Sequence, residues 1–184
     1  LELIPAGTAV GLVDASTDAT TREAVVLIDD AVDLSLDTFV VSPLEFPGGN
    51  IGALAVHGTV NDIAMMGAEP RYLTAGFVLE EGLMFDVLDR VVATMARAAA
   101  EAGVLLVTGD TKVMGRGELD GVVLNTTGVG LTRRVIPDAG LQAGDQILVT
   151  GTLGDHGMAV MAARHDLGLE GPLASDVAPL NGLI

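Results

Sequence analysis

Asn61-Asp-Ile-Ala-Met-Met-Gly-Ala-Glu-Pro70 reads as the closing turn of a helix that carries an acid. Gly67 just past the end and Pro70 shortly after it are ordinary stop chemistry. Glycine adopts the left-handed conformation that closes a helix, and proline does not continue one. Asp62 then faces the negative end of the helix dipole, which costs a few tenths to about 1 kcal/mol. A metal ion would offset that cost. A solvated carboxylate on an ordinary helix is the other reading that position alone leaves open.

Upstream, Asn50 is a good N-cap, and Ile51, Leu54, Ala55, Ile63 and Met66 follow helical spacing, weakened by Gly58. Gly58, Thr59 and Asp62 lie on neighbouring turns and give the helix one small, polar strip, the kind that lets a ligand approach the backbone. Before it, short strands are expected at Val10–Val13, Ala24–Ile28 and Thr38–Ser42, the last ended by Pro43 and the Pro47-Gly-Gly49 cluster. Downstream, residues 71–80 alternate as a strand. Residues 85–102 carry helical periodicity closed by Gly103, and 104–108 reads as a buried strand delivering Gly109-Asp110-Thr111-Lys112. Gly121–Leu131 is a further strand.

This order predicts an α+β fold, one mixed sheet covered by two helices. Residues 133–144, with Pro137, Gly140 and Gly144, read as a linker. A second unit starts with a strand over 146–150, a glycine-rich turn and a helix over 158–164. The expected division is therefore 1–139 and 140–184, the latter too short to bury a core alone. The chain begins at Leu1 and its second unit is unfinished, so a fragment of a longer protein is expected.

With 25 acids against 9 bases the net charge is −16, which disfavours nucleic acid and anionic membranes as partners. It also repels nucleotides unless a divalent cation mediates. The chain has no cysteine, which excludes thiolate metal sites and disulfides and fits an intracellular, cytoplasmic setting. No apolar run reaches the length of a membrane span.

Three acids stand at expected element ends: Asp37, Asp62 and Asp110. With Asn and Thr neighbours they form a hard-oxygen set suited to Mg²⁺ or Ca²⁺, although a chain this acidic also produces such coincidences. The only lysine, Lys112, lies two residues from Asp110, where Gly109 permits close backbone approach; phosphate binding and a plain surface turn both fit. Gly151-Thr-Leu-Gly-Asp-His-Gly157 precedes a helix and offers amides to phosphate, but it is neither a dinucleotide fingerprint nor a P-loop. His156 suits acid–base work or turn capping. His57 and His165 read as polar surface or helix face.

These segments together resemble a known family. Asp62–Pro70 matches the D-x₄-G-A-x-P pattern of the aminoimidazole ribonucleotide synthetase (PurM-like) ATP-binding superfamily. Asp37-Thr-Phe-Val-Val-Ser-Pro43, Phe46-Pro-Gly-Gly49, Gly58-Thr-Val-Asn-Asp62, Tyr72-Leu-Thr-Ala-Gly-Phe77, Gly109-Asp-Thr-Lys112, Asn125-Thr-Thr-Gly-Val-Gly130, Gly154-Asp-His-Gly157 and Asp176-Val-Ala-Pro-Leu-Asn-Gly182 resemble, in order, the HypE family of hydrogenase maturation. The resemblance implies a homodimer formed by sheet pairing, using ATP and Mg²⁺. It implies dehydration of a thiocarboxamide, carried on a C-terminal cysteine, to a thiocyanate for the cyanide ligands of [NiFe]-hydrogenase. Its implied partners are carbamoyltransferase and iron–cyanide scaffold proteins. It places Asp37, Asp62 and Asp110 at metal, and Thr59, Asn61, Gly109, Lys112 and Asn125 at ATP or phosphate.

Residues 1–36 match poorly, Leu36 and Asn50 depart from the family pattern, and no cysteine is present, so this chain by itself is expected to be inactive. A thiamine-monophosphate or selenophosphate kinase-type enzyme of the same superfamily, or a non-catalytic dimeric scaffold, are the alternatives.

Overall fold

The structure, a computed structural model, describes residues 9–12, 24–27, 31–137, 139–165 and 173–184. Val13 and Ile28, the ends of two expected strands, lie outside them. Strands β1 (Ala9–Leu12) and β2 (Ala24–Leu27) pair antiparallel. The main sheet has four strands in the order β3 (Ala31–Phe39), β8 (Val122–Thr132), β6 (Glu69–Glu80) and β7 (Leu105–Met114). β8 is antiparallel to both neighbours, and β6 runs parallel to β7. Parallel neighbours need a crossover, and helix α2 (Phe85–Ala102) supplies it. A two-residue turn, Pro47-Gly48, joins the short strands β4 (Glu45–Phe46) and β5 (Gly49–Asn50).

Helix α1 (Ile51–Met65) lies between the sheet and α2. Ile51, Val56, Val60 and Ile63 are fully buried, and residues on nearly every side of the helix are buried. A helix covered on two sides is apolar nearly all round, which is why its periodicity was weak in sequence. Asn50 caps it as expected, its Oδ1 accepting from the Gly52 and Ala53 amides at 2.9 and 3.2 Å. At the other end Gly67 takes φ +79°. Its amide donates to the Ala64 carbonyl and that of Ala68 to the Ile63 carbonyl, a Schellman closure that satisfies two otherwise orphaned carbonyls.

Several expectations shift. The strand placed at 38–42 runs instead over Ala31–Phe39. Its outward positions Leu34, Leu36 and Thr38 alternate with Asp33, Ser35 and Asp37 on the helix side, so apolar residues face out and polar ones face in. That inverted pattern hid the strand. The strand at 104–108 extends to Met114 because β6 offers a partner along its whole length, so Gly109–Lys112 lie within an edge strand rather than in a turn after it. Residues 146–150 form no strand: among the described residues they meet no partner, and Ile147 and Leu148 are exposed. The helix expected from Met158 starts at Asp155 and is α3 (Asp155–Arg164).

Residues of the second stretch pack on the first. Val160 joins the buried core, the His156 ring meets Phe46 edge-on, and Arg164 donates twice to the Ser42 carbonyl. His57 is not a surface residue: it is buried on α1, and its Nδ1 has no partner. Burial lowers its pKa, partly opposed by Glu101.

Candidate functional site

Strand register places the sequence-derived residues on two different faces of the sheet. Asp37 pairs with Thr126, which pairs with Ala75, which pairs with Gly109. Thr126 is buried and donates to the Ala55 carbonyl of α1, so this row faces the helices. The adjacent row, Thr38, Asn125, Gly76 and Asp110, faces the other way.

On the helix face, the last turn of α1 brings Asp62 over β3. Ser35 donates from Oγ to Asp62 Oδ2 at 3.3 Å. The Asp62 carboxyl is held above the ordinary range, chiefly by burial; the Ser35 hydrogen bond opposes this, and the nearby Asp37 charge adds to it. Asp37 accepts the Thr38 amide at 2.6 Å, and its backbone carbonyl accepts from the Asn125 side chain at 3.1 Å. The Asp62 carboxylate therefore lies near Asp37 of β3, in a last turn of α1 that carries no basic residue. Asp33, two residues before Ser35, also has a carboxyl raised by burial, and its Oδ2 is buried without a partner.

On the outer face, the Asn125 side chain donates to Thr38 Oγ1 at 2.7 Å. One strand beyond Gly76, Lys112 bonds Asp110 at 2.6 Å, and the Thr111 amide donates to the same carboxyl at 2.8 Å. These two contacts, Lys112 first, hold the Asp110 carboxyl below its ordinary range. Both residues of the ion pair are well exposed on an edge strand, where charged side chains also discourage pairing with stray strands. Gly109 is required here by contact: a Cβ would lie 2.6 Å from the Ala75 carbonyl oxygen.

The three aspartates thus do not converge. Asp37 and Asp62 come together, Asp110 sits across the sheet, and among the described residues no three His, Asp or Glu side chains are arranged to hold a metal. The polar strip of α1 is not open to a ligand either. A Cβ at Gly58 would lie 2.9 Å from the Phe39 ring, and Thr59 is fully buried, its hydroxyl 2.6 Å from that of Thr126. Asn61 bonds the backbone of residues 178 and 180. The glycine turn before α3 already holds an anion of its own, since the His156 amide donates to Asp176. The cleft nearest the motif, about 330 Å³ and bordered by Gly67, Ala68, Pro70 and Asn181, includes none of the three aspartates.

Sequence reasoning missed Ser35 and Asp33. Both were within reach: once the strand is extended back to Ala31, alternation from Asp37 puts them on its face.

Oxygen donors alone, with two carboxylates and a hydroxyl, suit Mg²⁺, which binds through one or two carboxylates plus water and substrate phosphates rather than in an all-protein cage. The Asp62 carboxylate, partly buried, bonded to Ser35 and near the Asp37 charge, fits such a cation.

Comparison with known proteins gives a consistent picture. Carbamoyl dehydratase HypE of Azotobacter vinelandii is 53% identical over 155 residues, covering 83% of this chain and 46% of that protein. The HypE of Escherichia coli K12 is 52% identical over 157 residues, 84% of this chain and 47% of its own length. This chain spans about half the length of the curated relatives it matches. A crystal structure of hydrogenase maturation protein HypE in complex with ATP superposes with a TM-score of 0.81 at 46% identity, over 90% of this chain and 49% of that one. The family model described as AIR synthase related protein, N-terminal domain, matches residues 21–132. With the four-stranded mixed sheet, its covering helices and this match in hand, the chain belongs to the AIR synthase related protein family.

Proposed function

We propose that this chain is the nucleotide-binding part of an ATP-dependent carbamoyl dehydratase of the HypE kind. In that reaction a protein-bound thiocarboxamide loses water to become a thiocyanate destined for the cyanide ligands of [NiFe]-hydrogenase. What carries the reading is the partly buried Asp62 carboxylate, bonded to Ser35 and near Asp37, in a chain about half identical to HypE proteins. Bound Mg·ATP would supply an activated phosphoryl group that turns the amide oxygen into a good leaving group. Asp37 and Asp62 hold the cation, and Ser35 fixes the Asp62 oxygen it bonds. The Mg²⁺ also lets a polyphosphate approach a protein of net charge −16. Asp110 serves as the further acidic group, with Lys112 and Asn125 meeting phosphate on the outer face, and Gly109, in the helix-facing row, gives the β7 backbone its close approach; Thr59 acts indirectly, by packing β8 against α1. The chain has no cysteine, so on this reading the carrier thiol belongs to another part of the longer protein.

Calorimetry at the full encoded length is expected to show ATP binding that needs Mg²⁺ and disappears with chelator. A dimeric protein that binds no ATP in the presence of Mg²⁺ would sink the proposal.

The unit over 1–139 is proposed to form a homodimer through the outer face of its sheet. Leu34, Leu36 and Val40 are 56%, 67% and 67% exposed, and Tyr72 is exposed beside them, an apolar area that a monomer in water does not favour. A second copy is the proposed occupant, since a two-fold axis would set the same apolar face against itself and cover both at once. Leu36→Glu is expected to shift the sedimentation coefficient to that of a monomer with the circular dichroism retained. A variant that remains dimeric would rule this face out. Residues 140–184 then begin a second domain. The crystallised HypE–HypF complex, 50% identical with a TM-score of 0.81 over 86% of this chain and 52% of that one, supports another maturation protein as a partner; a carbamoyltransferase and an iron–cyanide scaffold are proposed from the family resemblance alone. No helix among the described residues is long and apolar enough to cross a membrane, and a cytoplasmic location belongs to the same proposal.

A further inference from the structure

Asn61 is the immediate neighbour of Asp62, yet its side chain bonds the backbone of residues 178 and 180 while Asp62 accepts from Ser35. The Asn61 Nδ2 donates to the Ala178 carbonyl at 3.0 Å, and its Oδ1 accepts the Leu180 amide at 2.7 Å. One amide side chain thereby reads a carbonyl and the amide two residues on, the pattern an adjacent strand would offer to an extended chain. The residue between them is Pro179, which has no N–H to satisfy and a fixed φ that stiffens the segment. Both of the backbone groups that Pro179 leaves facing α1 are therefore satisfied by a single residue.

The rest of the segment is held the same way. The Ser175 amide donates to the Pro47 carbonyl at 2.7 Å, and Asn181 Nδ2 donates to the Ala102 carbonyl at the end of α2 at 2.9 Å. The β4–β5 turn is shaped to receive it. A Cβ on Gly48 would lie 2.7 Å from the Ser175 nitrogen, and one on Gly49 would lie 3.0 Å from Val177 Cγ1. Residues 175–181 thus cross the hairpin tip, α1 and α2 in turn, on the side away from the exposed sheet face.

We infer that Asn61 is a positioning residue, a backbone clamp that docks the segment 175–181 and with it the second unit, and that it does not contact nucleotide. One Nδ2 N–H and the Oδ1 of Asn61 are committed to this segment, which fixes the amide plane against residues 178–180 instead of leaving it free to turn toward a nucleotide. The inference rests on the nucleotide reading only for its second measurement below.

The test uses the full-length protein with Asn61→Leu, which keeps the volume and removes both bonds, and Asn61→Gln, which keeps the donor–acceptor pair on a longer arm. Hydrogen exchange is read on peptides spanning 177–184 and, as a control, on β8, alongside calorimetric Mg·ATP affinity. Asn61→Leu is expected to speed exchange in 177–184 by about tenfold or more, the equivalent of losing one clamped pair. Exchange in β8 and Mg·ATP affinity stay within about threefold of wild type. Asn61→Gln is expected to recover part of the protection, which filling space alone would not do. Unchanged exchange in 177–184 for Asn61→Leu overturns the clamp. A tenfold loss of Mg·ATP affinity overturns the positioning role whatever the segment does. If the wild-type protein binds no ATP, the proposed function fails and the exchange measurement alone decides this inference.

Discussion

Replacing Asp62 with asparagine is expected to weaken Mg²⁺-dependent ATP binding by about tenfold or more while leaving the fold as stable as before, or slightly more so. The two effects have opposite signs because they come from one charge. In the folded chain burial first and the nearby Asp37 charge second raise the carboxyl pKa, against the Ser35 hydrogen bond that lowers it, and the carboxylate also stands in the last turn of α1. A raised carboxyl pKa means that the folded state binds protons more readily than the unfolded one. The charge thus costs stability as the pH rises from the unfolded value, 3.8, through the folded one. Asparagine keeps the size and one acceptor for Ser35 and removes that cost, a gain of a few tenths to about 1 kcal/mol at neutral pH. A Mg²⁺ ion loses one of its two carboxylates and about 1.4 kcal/mol or more, which is the tenfold. Calorimetry with Mg·ATP and urea midpoints at pH 7 measure both. Unchanged affinity would remove Asp62 from the site, and a lower urea midpoint would show that its charge supports the fold instead.

Gly130→Ala is expected to destabilise the protein by about 1–3 kcal/mol, the usual cost of adding a methyl to a full core. Gly130 faces α1 from the central strand β8. A Cβ there would lie 2.3 Å from Ile63 Cγ2, 3.0 Å from the Ala68 Cβ and 3.2 Å from the Glu69 carbonyl oxygen. Ile63 is fully buried and Ala68 belongs to the Schellman closure, so neither yields without moving the helix end that carries Asp62. Gly128, two residues earlier, is equally tight, 2.3 Å from Ile63 Cδ1 and 2.8 Å from Thr59 Cγ2. Denaturant unfolding of Gly130→Ala, Ile63→Ala and the double variant gives the check. The double variant should be more stable than the sum of the single losses predicts, by about 0.5–3 kcal/mol, since removing Cγ2 makes room for the new methyl. Simple additivity would mean that the strand relaxes elsewhere and that the two residues do not limit the approach of helix to sheet.

The glycines of β8 show where sequence reading ends. Asn125-Thr-Thr-Gly-Val-Gly130 was legible as a strand, but nothing local says that two of its residues lack side chains because a helix lies on them. The carboxylates divide the same way. Asp62 at a helix end was readable from Gly67 and Pro70, and the capping bonds of Gly67 and Ala68 bear that out. Its approach to Asp37 and Ser35 depended on a strand whose polar side faces the helices, the reverse of the usual pattern, and the expected start at Thr38 missed it. Asp110 was grouped with the other two because all three stand near element ends. Pairing register puts it on the opposite face.

What the sequence by itself determined is local or compositional: the helix boundaries at Asn50, Gly67 and Gly103, the α+β order, the lack of a thiolate ligand within these 184 residues and the net charge of −16. These follow from backbone conformation and composition, which act within a few residues or over the whole chain. Which acids share a face, why Gly128 and Gly130 are bare, and that Asn61 bonds the backbone of residues 178 and 180 were decided only by tertiary structure. Each depends on strand register and on the distance between helix and sheet, which are set by contacts between residues far apart in the chain.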